Sequence, residues 1–195
     1  MFEAVQRGID ITISALSLIV LAPVLALITL LIRVTSKGPA FFIQPRMGRY
    51  GVSFRMYKFR TMYHSSCDAS AKQGFTQHCD ARVTWIGRWL RPLHLDELPQ
   101  LLNILIGDMS IVGPRPEAVP FARKMAREIP LYELRYLVRP GLTGHAQLMQ
   151  GYALDNAEET KRKLSYDLFY LTKYSALLNM RLIFRTIPSL AKGAR

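Results

Sequence analysis

Two acids stand side by side in "LHLDELPQLLNIL", residues 93–105: Asp96 and Glu97, set among leucines with Pro99 two residues on. Carboxylates are costly to bury without partners, so an apolar setting for two of them asks for an explanation. One answer is structural. Asp96 would cap a helix whose first turn carries Glu97 and Pro99, where acids suit the dipole and proline is tolerated. The other is chemical. Neighbouring helical residues point about 100° apart, so the two carboxylates cannot flank one bond as the paired acids of a glycosidase do. Two separate jobs suit them better: one as nucleophile, the other as ligand to a hard cation such as Mg²⁺. The two answers are compatible, because a helix N-terminus also receives phosphate.

Cations complete the chemistry. "YKFRTM" offers Lys58 and Arg60, "RWLRP" offers Arg88 and Arg91, "GPRPE" holds Arg115 between two prolines, and "VRPG" sets Arg139 before a proline. Pro114 and Pro116 restrict the backbone on both sides of Arg115 and so limit where its side chain can point. An acid pair with several restrained cations is the equipment of phosphoryl transfer, whose catalysis is mostly positioning and charge neutralisation. The chain has no Walker-type loop and no GxGxxG, and His64, His78, His94 and His145 follow no metal spacing.

The elements that must position these residues can be read from pattern. "AFFIQ" and "VSFRMYKFR" read as two strands joined by "PRMGRYG". Apolar residues fall at 52, 54 and 56 and then shift to 57 and 59, a phase change that predicts a bulge turning Lys58 and Arg60 to one face. Residues 64–80 read as a polar surface loop with some helix. "WIGRWLRPL" and "ELPQLLNILIG" read as helices, the second amphipathic. "MSIVGPRPEAVP" reads as a short extended piece and a rigid turn, residues 121–137 as a charged helix, "VRPGLTGHAQ" as a loop, and 158–174 as a helix. The tail from Ser175 mixes Leu, Ile and Phe with Arg and Lys, as helices lying in a membrane interface do.

Charge and hydropathy narrow the partners. The net charge is +12, and the first 32 residues contribute −1, so residues 33–195 carry about +13 and favour polyanions. Ile11 to Ile32 are 22 consecutive uncharged, mostly apolar residues, enough to cross a bilayer core of roughly 20 residues. Pro23 interrupts that run and predicts a kink. Basic residues flank both ends, so the charge rule chooses no orientation between a span and a hairpin re-entering one leaflet. Cys67 and Cys79 share one polar stretch and form no metal pattern; a reduced setting is the simpler default, with a disulfide left open. The expected fold is α+β and mostly helical: a membrane helix over residues 1–36, then a catalytic domain over 37–195 with a small β-hairpin and interfacial amphipathic helices.

Four stretches together resemble the bacterial sugar transferase family, the monotopic polyprenyl-phosphate phosphoglycosyl transferases in their short form. They are "SKGPAFFIQPRMGRYGVSFRMYKFRTM", "DARVTWIGRWLRPLHLDELPQLLNILIGDMSIVGPRP", "RPGLTGHAQ" and "YDLFYLTKYSALLNMRLIFRTI". The resemblance implies transfer of a sugar phosphate from a UDP-sugar to undecaprenyl phosphate at the cytoplasmic face of the bacterial plasma membrane, with release of UMP. That is a first membrane step of exopolysaccharide or other glycoconjugate assembly. By that likeness Asp96 is the nucleophile that forms a phosphosugar-enzyme intermediate, and Glu97 binds Mg²⁺. Lys58, Arg60, Arg91, Arg115, Arg139 and Gln147 fall among the substrate- and phosphate-binding residues, and Pro23 matches the break of a re-entrant helix. The chain departs from the family pattern at Ala22, where a serine is frequent, at His145, where a tryptophan is usual, and at Asn179, where an aspartate is common; "LMQGYALD" supplies no arginine after the glutamine.

The competing expectation is a non-enzymatic basic protein of the membrane surface that binds anionic lipid or nucleic acid. It accounts for the charge and the apolar run, but not for the acid pair or "GPRP". Nucleic acid is disfavoured as a partner, because aromatics interleave with basic residues only in "SFRMYKFR". Monomer and homodimer are equally compatible with these residues, and the sugar's determinants are expected in 64–80 and 145–156.

Overall fold

The computed structural model describes residues 2–63, 81–150 and 157–191. The first helix, α1 (Phe2–Thr35), is long and apolar enough to cross a membrane by length and composition. At 1.5 Å per residue it runs roughly 50 Å. One stripe faces the rest of the chain at three- and four-residue spacing: Gln6, Asp10 and Ser14 buried, Leu18, Leu21 and Leu25 half-buried, Ile28 and Ile32 buried again. The stripe is polar in its first third because it meets backbone there. Asp10 Oδ1 accepts from the Ile111 amide at 3.0 Å, Gln6 donates to Ser110 Oγ at 2.8 Å, and Arg7 donates to the Ile104 and Leu105 carbonyls. The opposite face, including Leu16, Ile19, Val20, Leu27, Leu30 and Val34, is exposed and apolar.

Strands β1 (Phe41–Met47) and β2 (Ser53–Phe59) form the expected antiparallel hairpin. The expected bulge is absent: pairing runs unbroken from Phe41↔Phe59 to Met47↔Ser53. The apolar phase change has another cause, namely that both faces of β2 are covered near its end. Met56 packs with Leu101, Ile104 and Met109, while Phe59 packs on the other side with Ile28, Ile32, Ile86 and Leu90. Lys58 and Arg60 share a face by simple alternation.

Two short helices follow, α2 (Trp85–Leu90) and α3 (Gln100–Ile106), both seated on α1. Asn103, fully buried on α3, accepts from the Tyr57 amide and donates to the Arg55 carbonyl, which fixes α3 against β2. Strand β3 (Ser110–Val112) pairs in parallel with β4 (Gly141–Thr143), a strand in the stretch read from sequence as loop. The helix expected over 121–137 is divided. Helix α4 (Val119–Glu128) ends at Ile129-Pro130, Leu131 takes φ 63°, and a 3₁₀ segment runs from Tyr132 to Leu137. Helices α5 (His145–Gln150), α6 (Ala157–Thr172) and α7 (Ala176–Ala191) complete the fold, and Tyr170 and Leu182 pack on Val112 and Val138. The loop expected at 64–80 and the segment 151–156 lie outside the described residues.

The packing predicts a contrast within α3. Ile104 is fully buried and Ile106 is 66% exposed. Ile104→Ala should cost about 3 kcal/mol in denaturant unfolding in detergent, and Ile106→Ala less than about 0.5 kcal/mol.

Candidate active site

The turn that carries the acids is built by local strain. Thr84 caps α2 by accepting from the Gly87 amide at 3.1 Å, and the helix closes at Arg91. His94 then adopts φ 52°, ψ 20°, a left-handed conformation uncommon for residues other than glycine. It reverses the chain into a 3₁₀ turn, Leu95–Glu97, and α3 begins after Pro99. Asp96 therefore does not cap α3, and its side chain makes no capping hydrogen bond.

In a 3₁₀ turn successive side chains diverge by about 120°, and the two acids meet different surroundings. Glu97 is buried, and both its oxygens are engaged. Lys58 Nζ donates to Oε1 at 2.7 Å; Arg115 donates to Oε1 at 2.5 Å and to Oε2 at 3.3 Å. Burial alone would raise its pKa, but the Arg115 guanidinium and the Lys58 ammonium outweigh that and hold it well below the usual carboxylate range. Asp96 is half-buried and makes no hydrogen bond or ion pair among the described residues. Burial pushes its pKa up; Lys58 opposes the rise and Glu97 adds to it. Adjacent carboxylates whose environments push their pKa values apart are suited to different roles.

Arg115 is itself held from behind. Gly113 crosses Gly141 so closely that a Cβ on Gly113 would lie 2.4 Å from the Arg139 carbonyl, which sets the Pro114–Pro116 turn against β4. The buried Arg135 donates to the Arg115 carbonyl at 3.1 Å and to Tyr132 Oη at 2.8 Å, and pairs with Asp167 at 2.8 Å. Glu117 joins this group through Lys163 and Arg135. Burial raises the Glu117 pKa, but those two cations lower it to about 2.

The other residues singled out in the sequence scatter. Arg91 donates to Thr61 Oγ1 at 2.9 Å, and its charge acts on Asp96, so it belongs to the site. Arg60 is buried and donates to the Ser36 carbonyl and hydroxyl at the end of α1. Arg139 lies at the far end of α3, donating to the Gly107 carbonyl at 3.1 Å. Gln147 donates to the Leu142 carbonyl on its own side of the β3–β4 pair. Pro23 sits inside α1. Of the family departures, His145 stacks on Phe169 with ring centroids 5.1 Å apart, and Asn179 accepts from Tyr170 Oη at 2.9 Å. Asn103 was missed, yet an asparagine in a leucine-rich helix is a visible signal, because a buried amide must be satisfied. Arg135 carried no such signal among many basic residues.

A Mg²⁺ ion is commonly held by one or two carboxylates together with waters and substrate phosphates. Asp96 has free oxygens, whereas Lys58 and Arg115 already engage Glu97, whose Oε2 is held only by Arg115 at 3.3 Å and would be its oxygen for a cation. No group of three or more His, Cys, Asp or Glu able to cage a metal occurs among the described residues. This donor set fits a cation shared with a bound diphosphate.

A hairpin, a strained acid-bearing turn and a proline-flanked arginine thus bring two carboxylates and several cations together beside an apolar helix. The family model described as bacterial sugar transferase matches residues 1–193, and the chain belongs to that family. It is 40% identical over 98% of its length to the UDP-N-acetylgalactosamine-undecaprenyl-phosphate N-acetylgalactosaminephosphotransferase of Aeromonas hydrophila, of which it covers 45%. It is 41% identical over 93% of its length to the UDP-glucose:undecaprenyl-phosphate glucose-1-phosphate transferase of Klebsiella pneumoniae, covering 39% of that protein. The exopolysaccharide production protein PSS of Rhizobium leguminosarum bv. phaseoli is 41% identical, with 94% of both chains covered. The chain thus spans less than half of the first two relatives and nearly all of the third.

The two acids should respond oppositely to neutralisation. Glu97→Gln leaves Lys58 and Arg115 without their buried anion and should lose about 3–5 kcal/mol in unfolding measurements at neutral pH. Asp96, with its pKa raised by folding, opposes folding once ionised, so Asp96→Asn should leave stability unchanged or raise it. Glu97 and Glu117 have depressed pKa values, so their stabilisation is complete above the ordinary glutamate value of 4.5; that of Glu117 is lost as pH falls through about 2, and that of Glu97 as pH falls through its own depressed value.

Proposed function

We propose that this chain transfers a sugar 1-phosphate from a UDP-sugar to undecaprenyl phosphate, forming undecaprenyl-diphosphate-sugar and UMP. The observation that carries the reading is the contrast within the acid pair: Asp96 has uncommitted oxygens, while both oxygens of Glu97 are held by Lys58 and Arg115. The family match and the names of the relatives support the substrate classes. Relatives of nearly equal identity carry N-acetylgalactosamine and glucose, so the proposal extends to the UDP-sugar class.

In the first half-reaction an Asp96 oxygen attacks the phosphorus that bears the sugar. The bond from that phosphorus to the bridging oxygen breaks, and UMP leaves with that oxygen. In the second, an oxygen of the lipid phosphate attacks the same phosphorus, and Asp96 recovers its carboxylate. Lys58, Arg91 and Arg115 set three positive charges against the two carboxylates, a net excess of one that favours an anionic diphosphate. A Mg²⁺ ion held by Glu97 and the diphosphate would neutralise charge on the phosphate oxygens. One small site serves donor and acceptor in turn, which implies ping-pong kinetics.

The proposed seat of α1 is re-entrant, broken at Pro23, with both ends on the cytoplasmic side. Support comes from its contacts: Gln6, Arg7 and Asp10 near one end bond to α3 and β3, and Ile28, Ile32 and Ser36 near the other meet β2, α2 and Arg60, so both ends lie against the downstream domain. The exposed Leu177, Met180 and Phe184 of α7, interspersed with Arg181 and Arg185, suit an interfacial position.

Purified protein given a UDP-sugar, undecaprenyl phosphate and Mg²⁺ should release UMP and load the lipid. Asp96→Asn should lower turnover by on the order of 10³-fold or more; undiminished turnover would end the nucleophile assignment. Because burial raises the Asp96 pKa above its ordinary 3.8, the acid limb of kcat/KM should lie above that value, with activity falling as Asp96 is protonated. In a background lacking Cys67 and Cys79, cysteines placed at residues 3 and 37 should both be labelled from one side of sealed vesicles. Labelling of only one would require a span.

A further inference from the structure

Helix α2 has two kinds of surface. Ile86 and Leu90 are buried against Ile28 and Ile32 of α1. About 100° around the same helix, one turn apart, stand Trp85 and Trp89, exposed at 62% and 63%. Leu93, in the turn that leads to the acids, is 56% exposed. These side chains flank the end of α1 whose outer face carries the exposed Leu30 and Val34. Since Ile86 and Leu90 seat α2 on Ile28 and Ile32, α2 and the adjoining end of α1 together expose these apolar side chains with the cations Arg33, Lys37 and Arg88.

Tryptophan joins a large apolar body to a polar N–H and concentrates at the boundary between headgroups and acyl chains. Basic residues beside such a patch are attracted to anionic headgroups. We propose that α2 is a membrane-seating element, with Trp85, Trp89 and Leu93 entering the headgroup boundary of the bilayer that receives α1. The occupant is an anionic lipid surface. The inference rests on the membrane reading of α1 and adds a consequence for the site. Trp89 is seven residues before Asp96, separated only by the close of α2 and the His94 reversal. Seating α2 in the headgroup layer therefore sets Asp96 at the depth of a lipid phosphate.

The chain's two tryptophans are Trp85 and Trp89, so intrinsic fluorescence reports on this surface alone. The test uses the full chain with vesicles of phosphatidylcholine and phosphatidylglycerol, some brominated near the acyl carbonyls and others near the chain ends. The expected result is flotation with the vesicles, a blue shift, and loss of most tryptophan emission with the shallow bromines, less with the deep ones. Trp85→Phe and Trp89→Phe, each retaining one reporter, should behave alike. Flotation with emission insensitive to bromine but quenched by aqueous iodide would overturn the seating while leaving the membrane reading of α1 intact. Failure to float would overturn both. Shielding that grows with protein concentration without lipid would place a second copy of the chain there instead. As a functional readout, Trp85→Ser with Trp89→Ser should raise the KM for the lipid acceptor and leave the KM for the UDP-sugar unchanged; equal changes in both would contradict the proposal.

Discussion

A single buried carboxylate, Glu97, organises the site. An unpaired anion there would be prohibitively costly, so the fold brings Lys58 from β2 and Arg115 from the Pro114–Pro116 turn to meet it. Three segments distant in sequence are tied at one point. The cations that hold Glu97 also make the site electropositive, and the same arrangement leaves Asp96 uncommitted. Stability and chemistry are thereby divided between neighbours: Glu97 stabilises the fold as an ion-paired anion, and Asp96 sacrifices stability as a half-buried acid.

The surrounding structure keeps that tie in register. Asn103 couples α3 to the backbone of β2 on both sides of Met56, which fixes where Lys58 faces the acid-bearing turn. Arg135 holds the Arg115 carbonyl from the opposite side, and its own charge is met by Asp167 and Glu117. Apolar packing of Leu18, Leu21, Ile28 and Ile32 secures α1 along both α2 and α3. The long apolar helix and the turn that carries the acids therefore share one core.

Much of this was legible from residue types. The acid pair, the restrained Arg115, the hairpin and the long apolar helix are local signals, and each appears where the pattern placed it. What depended on tertiary partners was not. The phase change in β2 resembled a bulge because sequence alone does not show that both faces of its end are covered. Arg139 shares its composition and proline neighbour with a site arginine, but the β3–β4 pairing carries it to the far end of α3. His94 takes a left-handed turn that no glycine announces, so the acids fall in a 3₁₀ segment and not at a helix cap. Arg135 could not be distinguished from its basic neighbours until Asp167, 32 residues further along the chain, was seen opposite it.

The central claim is that Asp96, and not Glu97, takes up phosphorus. Incubating the protein with a UDP-sugar and Mg²⁺ but no lipid acceptor, quenching, and mapping peptide masses tests it most directly. The account predicts one sugar-phosphate increment on the peptide containing Asp96, localised to that residue by fragmentation, together with UMP release up to one equivalent. The increment should disappear when undecaprenyl phosphate is added. An increment localised to Glu97, or UMP release that requires the lipid acceptor and leaves no adduct, would contradict it.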